Sequence, residues 1–381
     1  MSDLKVLQLN KAYYPHTGGI ELIVQTLAEG LRKIPGVSSE VLVCGGPRKT
    51  VATTVNSVPV RYVAQLGAVA SLPISPSYPY WLSRAEADIL HVHEPFPLGD
   101  LSVLSLAHYR KWLSGKKVLV WWHSDIIRQR WVLPVYGAFL RQFLAMVEKV
   151  VVATPNHIHS SSFLPQVGSK CVVIPFGIEP GRFALTGECA SQVAELRRSF
   201  GGRIVLFVGR LVYYKGLEYL IEAMRWVPDA VLVVVGTGPL RGRLQRLSEQ
   251  WLGCPGKVVF LGAVAEHDLC AWYHACDVFV LPSVELSEAF GLVQLEAMAC
   301  AKPVVTTDLP TGVTYVNQHG HTGLVVPRRN SRALAEAINI LLDDRQLAAE
   351  MGHYAKRRVE QEFTVGRMVE SVARLYTELV Q

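Results

Sequence analysis

Two carboxylates, Glu288 and Glu296, stand eight positions apart in a stretch otherwise dominated by apolar and small residues, among them Phe290, Gly291, Leu292 and Leu295. Were the whole stretch helical, eight residues would rise about 12 Å. The two acids could then touch different points of one elongated ligand, but they could not share a proton. The Phe290–Gly291 step favours placing Glu288 in a loop and Glu296 inside the helix that follows. Taken alone, the spacing also fits two ordinary surface glutamates.

A second constellation is cationic. The apolar run Ile204–Val208 delivers Gly209 and Arg210 into a loop, and Lys215 with Gly216 opens the helical pattern Leu217–Arg225. Two cations beside a helix N-terminus suit a phosphate or diphosphate, because side chains, unpaired N–H groups and the helix dipole all favour an anion there. Two solvated basic residues would look the same. The step Gly236, Thr237, Gly238, Pro239 is a weaker signal and reads more readily as a plain tight turn.

In the first half, Gly18 and Gly19 open a helix after the first strand and would let a backbone approach a phosphate or an acceptor. The pattern is not GxGxxG, and no acidic residue follows a second strand at the distance an NAD ribose requires, so hydride transfer is the weaker reading. His123 ends an apolar strand, a favoured position for binding residues in α/β sheets, and could donate a hydrogen bond to a sugar hydroxyl. A lone histidine is also often structural. His91 and His93 are read as facing opposite sides of their strand, and so as unable to chelate one metal.

These residues need elements to hold them. Short apolar runs at Lys5–Asn10, Glu40–Cys44, Val58–Val63, Ile89–His93, Lys117–Trp121, Val150–Ala153 and Cys171–Ile174 read as strands between helical stretches. Such evenly apolar strands argue for a parallel sheet covered on both faces. The Pro- and Gly-rich stretch Pro175–Phe183 reads as a linker, after which a second series starts: Ile204–Gly209, Ala230–Gly236, Val258–Gly262, Val278–Leu281, Pro303–Thr306 and Gly323–Val326. Amphipathic helices are expected over Ser331–Leu342, Leu347–Phe363 and Val365–Val380. The expected organisation is α/β: residues 1–178 as an acceptor-binding doubly wound domain, 179–364 as a nucleotide-sugar domain, and 365–381 as a terminal helix packing back on the first. Two such sheets would present their C-terminal ends to a common cleft.

The totals agree with two packed domains: 381 residues, half of them apolar and 18% charged. A balance of 38 Lys+Arg against 32 Asp+Glu, net +6, says little unless it clusters. Seven cysteines show no CxxC pair and no histidine spacing that builds a zinc site, so reduced cytosolic thiols are expected. The N-terminus lacks a secretory pattern, and the apolar segment Trp131–Val147 is broken by Pro134, Arg141 and Gln142. A cytoplasmic chain without a transmembrane anchor is the expectation. Basic and aromatic residues interleave at Tyr109–Trp112, Lys116, Lys117 and Ile126–Tyr136, a composition suited to anionic lipid headgroups. No nucleic-acid module is visible, and no nucleic-acid partner is expected.

With these motifs in hand, the sequence resembles a retaining glycosyltransferase of family 4, with the GT-B fold of two Rossmann-like domains. The resemblance rests on Gly18–Gly19, His91–Pro95, His123, Gly209–Arg210 with Lys215–Gly216, Gly236–Pro239, Glu288–Glu296 and Gly320–Pro327, in that order. It implies that Arg210 and Lys215 neutralise the donor diphosphate, Glu288 accepts hydrogen bonds from hydroxyls of the transferred sugar, and Glu296 holds the ribose. Phe290, Gly291 and Leu292 would present backbone N–H groups to the sugar and phosphate. His123 would contact the sugar, Gly19 would approach the diphosphate, Gly209 and Gly238 would line the donor site, and the loop around Val264–Asp268 would meet the base. Glu288, His123, Arg210 and Lys215 are the expected catalytic set. The implied mechanism is front-face displacement with retention, driven by charge stabilisation on the leaving group. No Asp-x-Asp motif is present, so neither a metal nor a cofactor is expected beyond the nucleotide-sugar substrate.

Within the family, Pro282–Glu296 and Gly312–Gly320 resemble bacterial mannosyl- and rhamnosyltransferases of O-antigen assembly. That implies a GDP-mannose or GDP-rhamnose donor, a lipid-linked glycan acceptor, and a peripheral place on the inner face of the cytoplasmic membrane. A UDP-sugar transferase making a glycolipid, and a non-catalytic nucleotide-sugar binder, are the alternatives.

Overall fold

The computed structural model describes residues 3–15, 18–69, 72–108, 112–125 and 133–381. The chain divides into two compact units, Met1–Gly177 with Val365–Gln381, and Ile178–Thr364. Each is built on its own sheet.

The first unit carries strands β1 (Leu4–Asn10), β2 (Val37–Val43), β3 (Val51–Val55), β4 (Val58–Tyr62), β5 (Gly67–Val69), β6 (Leu72–Ile74), β7 (Ile89–Glu94), β8 (Lys117–Trp122), β9 (Lys149–Val152) and β10 (Cys171–Val173). Eight of them form one sheet in the order β10-β9-β8-β7-β1-β2-β4-β3. The neighbours of β1 are β2 and β7, both parallel to it, so the strand order reverses there. The expectation of a purely parallel sheet fails at one edge, where β3 runs antiparallel to β4. Asn56 and Ser57, at φ of 47° and 67°, make the two-residue connection, a conformation that suits the twist of a hairpin. Val51–Thr54 are exposed, so β3 offers no apolar run for sequence reasoning to find. The hairpin β5–β6 was likewise not expected.

Helix Gly19–Leu31 packs on this sheet through Ile23, Val24, Leu27, Ala28 and Leu31, an apolar stripe at helical spacing. The terminal helix Val365–Val380 then buries Met368, Val369, Val372, Leu375 and Tyr376 within the same unit. Gly30 permits that contact: a Cβ there would stand 2.4 Å from Cγ2 of Val369. The apolar segment that begins near Trp131 contains the helix Leu133–Met146. Among the described residues, no helix is long and apolar enough to cross a membrane.

The second unit holds β11 (Arg203–Val208), β12 (Ala230–Val235), β13 (Val258–Gly262), β14 (Val278–Leu281), β15 (Val304–Thr307) and β16 (Gly323–Val326). All pairs are parallel, in the order β13-β12-β11-β14-β15-β16. This is the doubly wound order in which successive strands are added outward from β11 and then, after a crossover, from β14. Right-handed crossovers in this order leave β11 and β14 toward opposite faces of the sheet, which opens a crevice at their C-terminal ends. The unit closes on itself: Ile178 N–H donates to the Phe363 carbonyl at 2.9 Å.

Candidate active site

The crevice between β11 and β14 is where the cationic and acidic motifs meet. After β11 the chain passes Gly209 and Arg210, makes a 3-10 turn over Tyr213–Lys215, and enters helix Leu217–Ala223 through Gly216. Gly216 lies at φ +62°, and a Cβ there would fall 2.2 Å from the carbonyl oxygen of Pro282, just past β14. Only glycine lets the loop lie that close. The turn thereby points Lys215 at the loop after β14, where Lys215 Nζ meets Glu288 Oε2 at 2.6 Å. Ser283 Oγ donates to the same carboxylate oxygen at 2.8 Å. Both charged side chains are only 9% exposed, so the pair is a desolvated one that depends on its geometry. The backbone of Glu288 is fixed as well, its carbonyl accepting from Thr311 Oγ1 at 2.8 Å. Arg210, by contrast, is exposed.

Glu288 lies in the loop and Glu296 in helix Leu292–Ala299, as the Phe290–Gly291 step favours. Gly291 makes the turn into the helix at φ +74°. Phe290 is buried with its ring edge-on to Phe363 at 6.2 Å, and its carbonyl accepts from Gln294 Nε2 at 2.6 Å. The helix start at Gly291 and Leu292 therefore presents N–H groups that have no intrahelical acceptor. Glu296 Oε2 accepts from the Tyr273 hydroxyl at 2.5 Å. Burial pushes the Glu296 carboxyl up from its ordinary value, with the Tyr273 hydrogen bond and the charge of Arg182 opposing.

Gly236 and Gly238 are more than a plain turn. Cβ atoms on them would lie 2.0 Å from the Gly209 carbonyl oxygen and 2.4 Å from that of Leu211. Leu211 N–H donates to Thr237 O at 2.9 Å and Leu240 N–H to Leu211 O at 3.1 Å. Two loops are thus laced backbone to backbone, and Gly238 serves first to hold the loop that carries Arg210. In the Val264–Asp268 stretch, Asp268 accepts from Gln192 Nε2 at 3.1 Å.

In the first unit, Gly19 opens its helix on an exposed face, and a Cβ there would meet nothing within 4 Å. His123 follows β8, is 3% exposed, and joins a buried row of rings with Trp121 and Phe176. The reading of His91 and His93 as facing opposite ways is wrong. Side chains alternate along a strand, so i and i+2 share a face, and the two rings stack at 4.5 Å between centroids.

The ring nitrogens form a directed chain. His93 Nε2 lies 2.8 Å from Gln8 Oε1, which can only accept, so His93 Nε2 carries the proton and His93 Nδ1 the lone pair. His123 Nε2, 3.0 Å from His93 Nδ1, must then be a donor. Gln8 Nε2 donates to the Tyr376 hydroxyl at 3.1 Å, which in turn donates to His91 Nδ1 at 2.6 Å. Burial holds the pKa of His91 and His123 well below the ordinary histidine value and that of His93 at about 3, so all three are neutral near pH 7. His123 therefore offers an acceptor, Nδ1, where donation to a sugar hydroxyl was expected.

Ser283, Tyr273, Gln8 and Tyr376 were not singled out by sequence. Ser283 had a signal, a polar residue directly beyond an apolar strand; Tyr376, over 280 positions from His91, had none. The basic and aromatic residues 109–111 and 126–132 lie outside the described residues. Of that surface, Lys116 Nζ sits 5.6 Å from the Trp112 ring centroid. A cavity of about 280 Å³ beside β1, β2 and β4, walled by Arg61, Trp81 and Arg84, contains none of the candidate residues.

Comparison with known proteins bears on this arrangement. The family model for glycosyl transferases group 1 matches residues 192–358, and that for glycosyltransferase family 4 matches residues 17–182. O-antigen chain mannosyltransferase C of Escherichia coli is 33% identical over 99% of this chain and 99% of its own length. A D-rhamnosyltransferase of Pseudomonas aeruginosa is 34% identical over 95% of this chain and 92% of its own. Among solved structures, sucrose-phosphate synthase from Thermosynechococcus elongatus superposes with a TM-score of 0.79 over 99% of both chains at 22% identity, a likeness of fold.

Proposed function

The chain belongs to the family 4 glycosyltransferases, with the GT-B fold of two Rossmann-like units, and from that premise we propose that it moves mannose or D-rhamnose from a GDP-sugar to a glycan on a polyprenyl diphosphate in O-antigen assembly. The observation that carries the reading is the buried Lys215–Glu288 pair at the β11/β14 crevice, beside a helix N-terminus. The choice of mannose or D-rhamnose and the O-antigen setting follow the names of the two relatives above, and the GDP-linked donor and the polyprenyl diphosphate carrier follow the family resemblance.

In this reading the diphosphate lies against Lys215, Arg210 and the N–H groups at Gly291 and Leu292. Glu288 Oε2 is engaged by Lys215 and Ser283, which leaves Oε1 for hydroxyls of the transferred sugar. Glu296 holds the ribose, and the family resemblance assigns Gly19 a role toward the diphosphate and His123 one toward the sugar. The acceptor hydroxyl attacks the anomeric carbon on the face the nucleotide leaves. The new carbon–oxygen bond forms as the old one breaks, and the departing phosphate oxygen takes the acceptor's proton, so the anomeric configuration is retained. Lys215 and Arg210 stabilise the charge that grows on the leaving group, a contribution larger in the transition state than in the ground state. The two cations do the work a metal does in other transferases, and the enzyme works in the cytoplasm, peripherally at the inner membrane face.

The test is a screen of GDP- and UDP-sugars with a lipid-linked acceptor, with binding of GDP and UDP followed by calorimetry and the product anomer read by NMR. GDP binding and an α-linked product formed in excess EDTA are expected. Binding of UDP alone would shift the assignment to a UDP-sugar transferase, a β-linked product would remove retention, and binding without turnover on any donor would leave a nucleotide-sugar binder.

A further inference from the structure

The second unit gathers four metal-ligating side chains that the transfer reaction does not use. Cys270 and His274 stand one helical turn apart on helix Glu266–Ala275, and Cys300 caps helix Leu292–Ala299. One potential ligand atom from each of Cys270, His274 and Cys300 lies within 4.8 Å of the other two. Cys189, on helix Gly187–Phe200, brings its Sγ to 3.4 Å from that of Cys270. All three cysteines are at most 6% exposed.

The surroundings are those of a ligand set. His274 Nε2 lies 2.9 Å from the carbonyl of Phe183, which can only accept, so Nε2 is the donor and Nδ1 keeps the lone pair. A metal-bound histidine characteristically gives its second ring N–H to a carbonyl in this way. Zinc–sulfur bonds of about 2.3 Å place tetrahedral ligand atoms about 3.8 Å apart, inside the 4.8 Å that spans Cys270, His274 and Cys300 and close to the 3.4 Å between Cys189 and Cys270.

We propose that Cys270, His274 and Cys300, with Cys189 as fourth ligand, form a structural zinc site. Three thiolates and an imidazole are a closed, soft tetrahedral set with no position left for substrate. The ion would tie three helices together, one of them a turn beyond Glu296.

The experiment uses the full chain, purified under reducing conditions. Zinc content is measured after exhaustive dialysis, and Co²⁺ is titrated into metal-depleted protein for its thiolate charge-transfer and tetrahedral d–d bands. Wild type and Cys254→Ser, which alters an exposed cysteine, are expected to hold about one equivalent and give the cobalt spectrum. Cys270→Ser and Cys300→Ser are expected to lose both, and zinc is expected to raise the melting temperature of wild type but not of these variants. Because the cobalt titration is done on wild type, poor folding of a variant does not decide the result. A reduced wild-type protein that binds neither ion, zinc retained in both serine variants, or a metal-free protein joined by a Cys189–Cys270 disulfide would each overturn the proposal.

Discussion

At the scale of residues, the decisive contact is the ion pair between Lys215 and Glu288. Removing one partner of a buried pair leaves the other charge desolvated and uncompensated, at a cost of about 3–5 kcal/mol. Lys215→Ala is therefore expected to lower stability as well as to cut kcat by about 10²- to 10³-fold. The double variant Lys215→Met with Glu288→Gln removes both charges, and denaturant titration should find most of the lost stability restored while transfer stays absent. Activity recovering with stability would show that the pair is only structural. If Glu296 holds the ribose as proposed, Tyr273, whose hydroxyl donates to it, is a positioning residue, and hydrogen bonds to charged groups contribute about 1.5–3 kcal/mol. Tyr273→Phe should raise the donor KM roughly tenfold with kcat little changed; an equal fall in kcat at constant KM would contradict a ribose-holding Glu296. Residue types and order made these positions visible in the sequence, because strand ends in this fold are where ligand groups sit. Their pairing was not visible: Arg210 and Lys215 look alike as cations, and only the close approach at Gly216 decides which one is buried.

At the scale of elements, β7 concentrates buried titratable groups whose effects oppose one another. His91 and His93 have lowered pKa values, so their contribution to stability is present above about pH 6.5 and is lost as pH falls toward the folded value, about 3 for His93. Glu94, at the end of the same strand, and Asp100, on the helix after it, are both pushed up by burial. Their contribution is present below the unfolded value of about 4 and is lost as pH rises through the folded one. Asp100→Asn, which stays neutral and can still accept from Tyr136, separates the two effects. Thermal melts of wild type and variant should diverge in favour of the variant from pH 4 to 8, by up to about 1.4 kcal/mol per pH unit where Asp100 is protonated only in the folded state. A pH-independent difference would exclude a protonated Asp100. Strands buried on both faces, such as β11 and β14, were legible because apolar runs bounded by Gly and Pro have few other readings. Edge strand β3 and the shared face of His91 and His93 were missed, the first because exposure erases the pattern, the second because the period of the strand was misapplied.

At the scale of the whole molecule, the chain finishes its first unit last. The helix Val365–Val380 was legible as amphipathic from its spacing, but no local signal says that Tyr376 hydrogen-bonds to Gln8 and His91. Five of its seven buried side chains, Met368, Val369, Val372, Leu375 and Tyr376, contribute about 1.5–3 kcal/mol each on burial. The sum, about 8–15 kcal/mol, matches the entire stability of an ordinary domain. The second unit has no such debt, since its chain enters at Ile178 and leaves at Thr364 through one backbone bridge and its core is drawn from the residues between. Truncation after Thr364 is therefore expected to unfold the first unit and spare the second. Limited proteolysis should yield a resistant fragment that begins near Ile178, with the first 177 residues digested, and GDP binding should survive on that fragment if the donor groups of the second unit suffice. A truncated chain in which both units resist protease equally would show that the helix covers the first unit without holding it together.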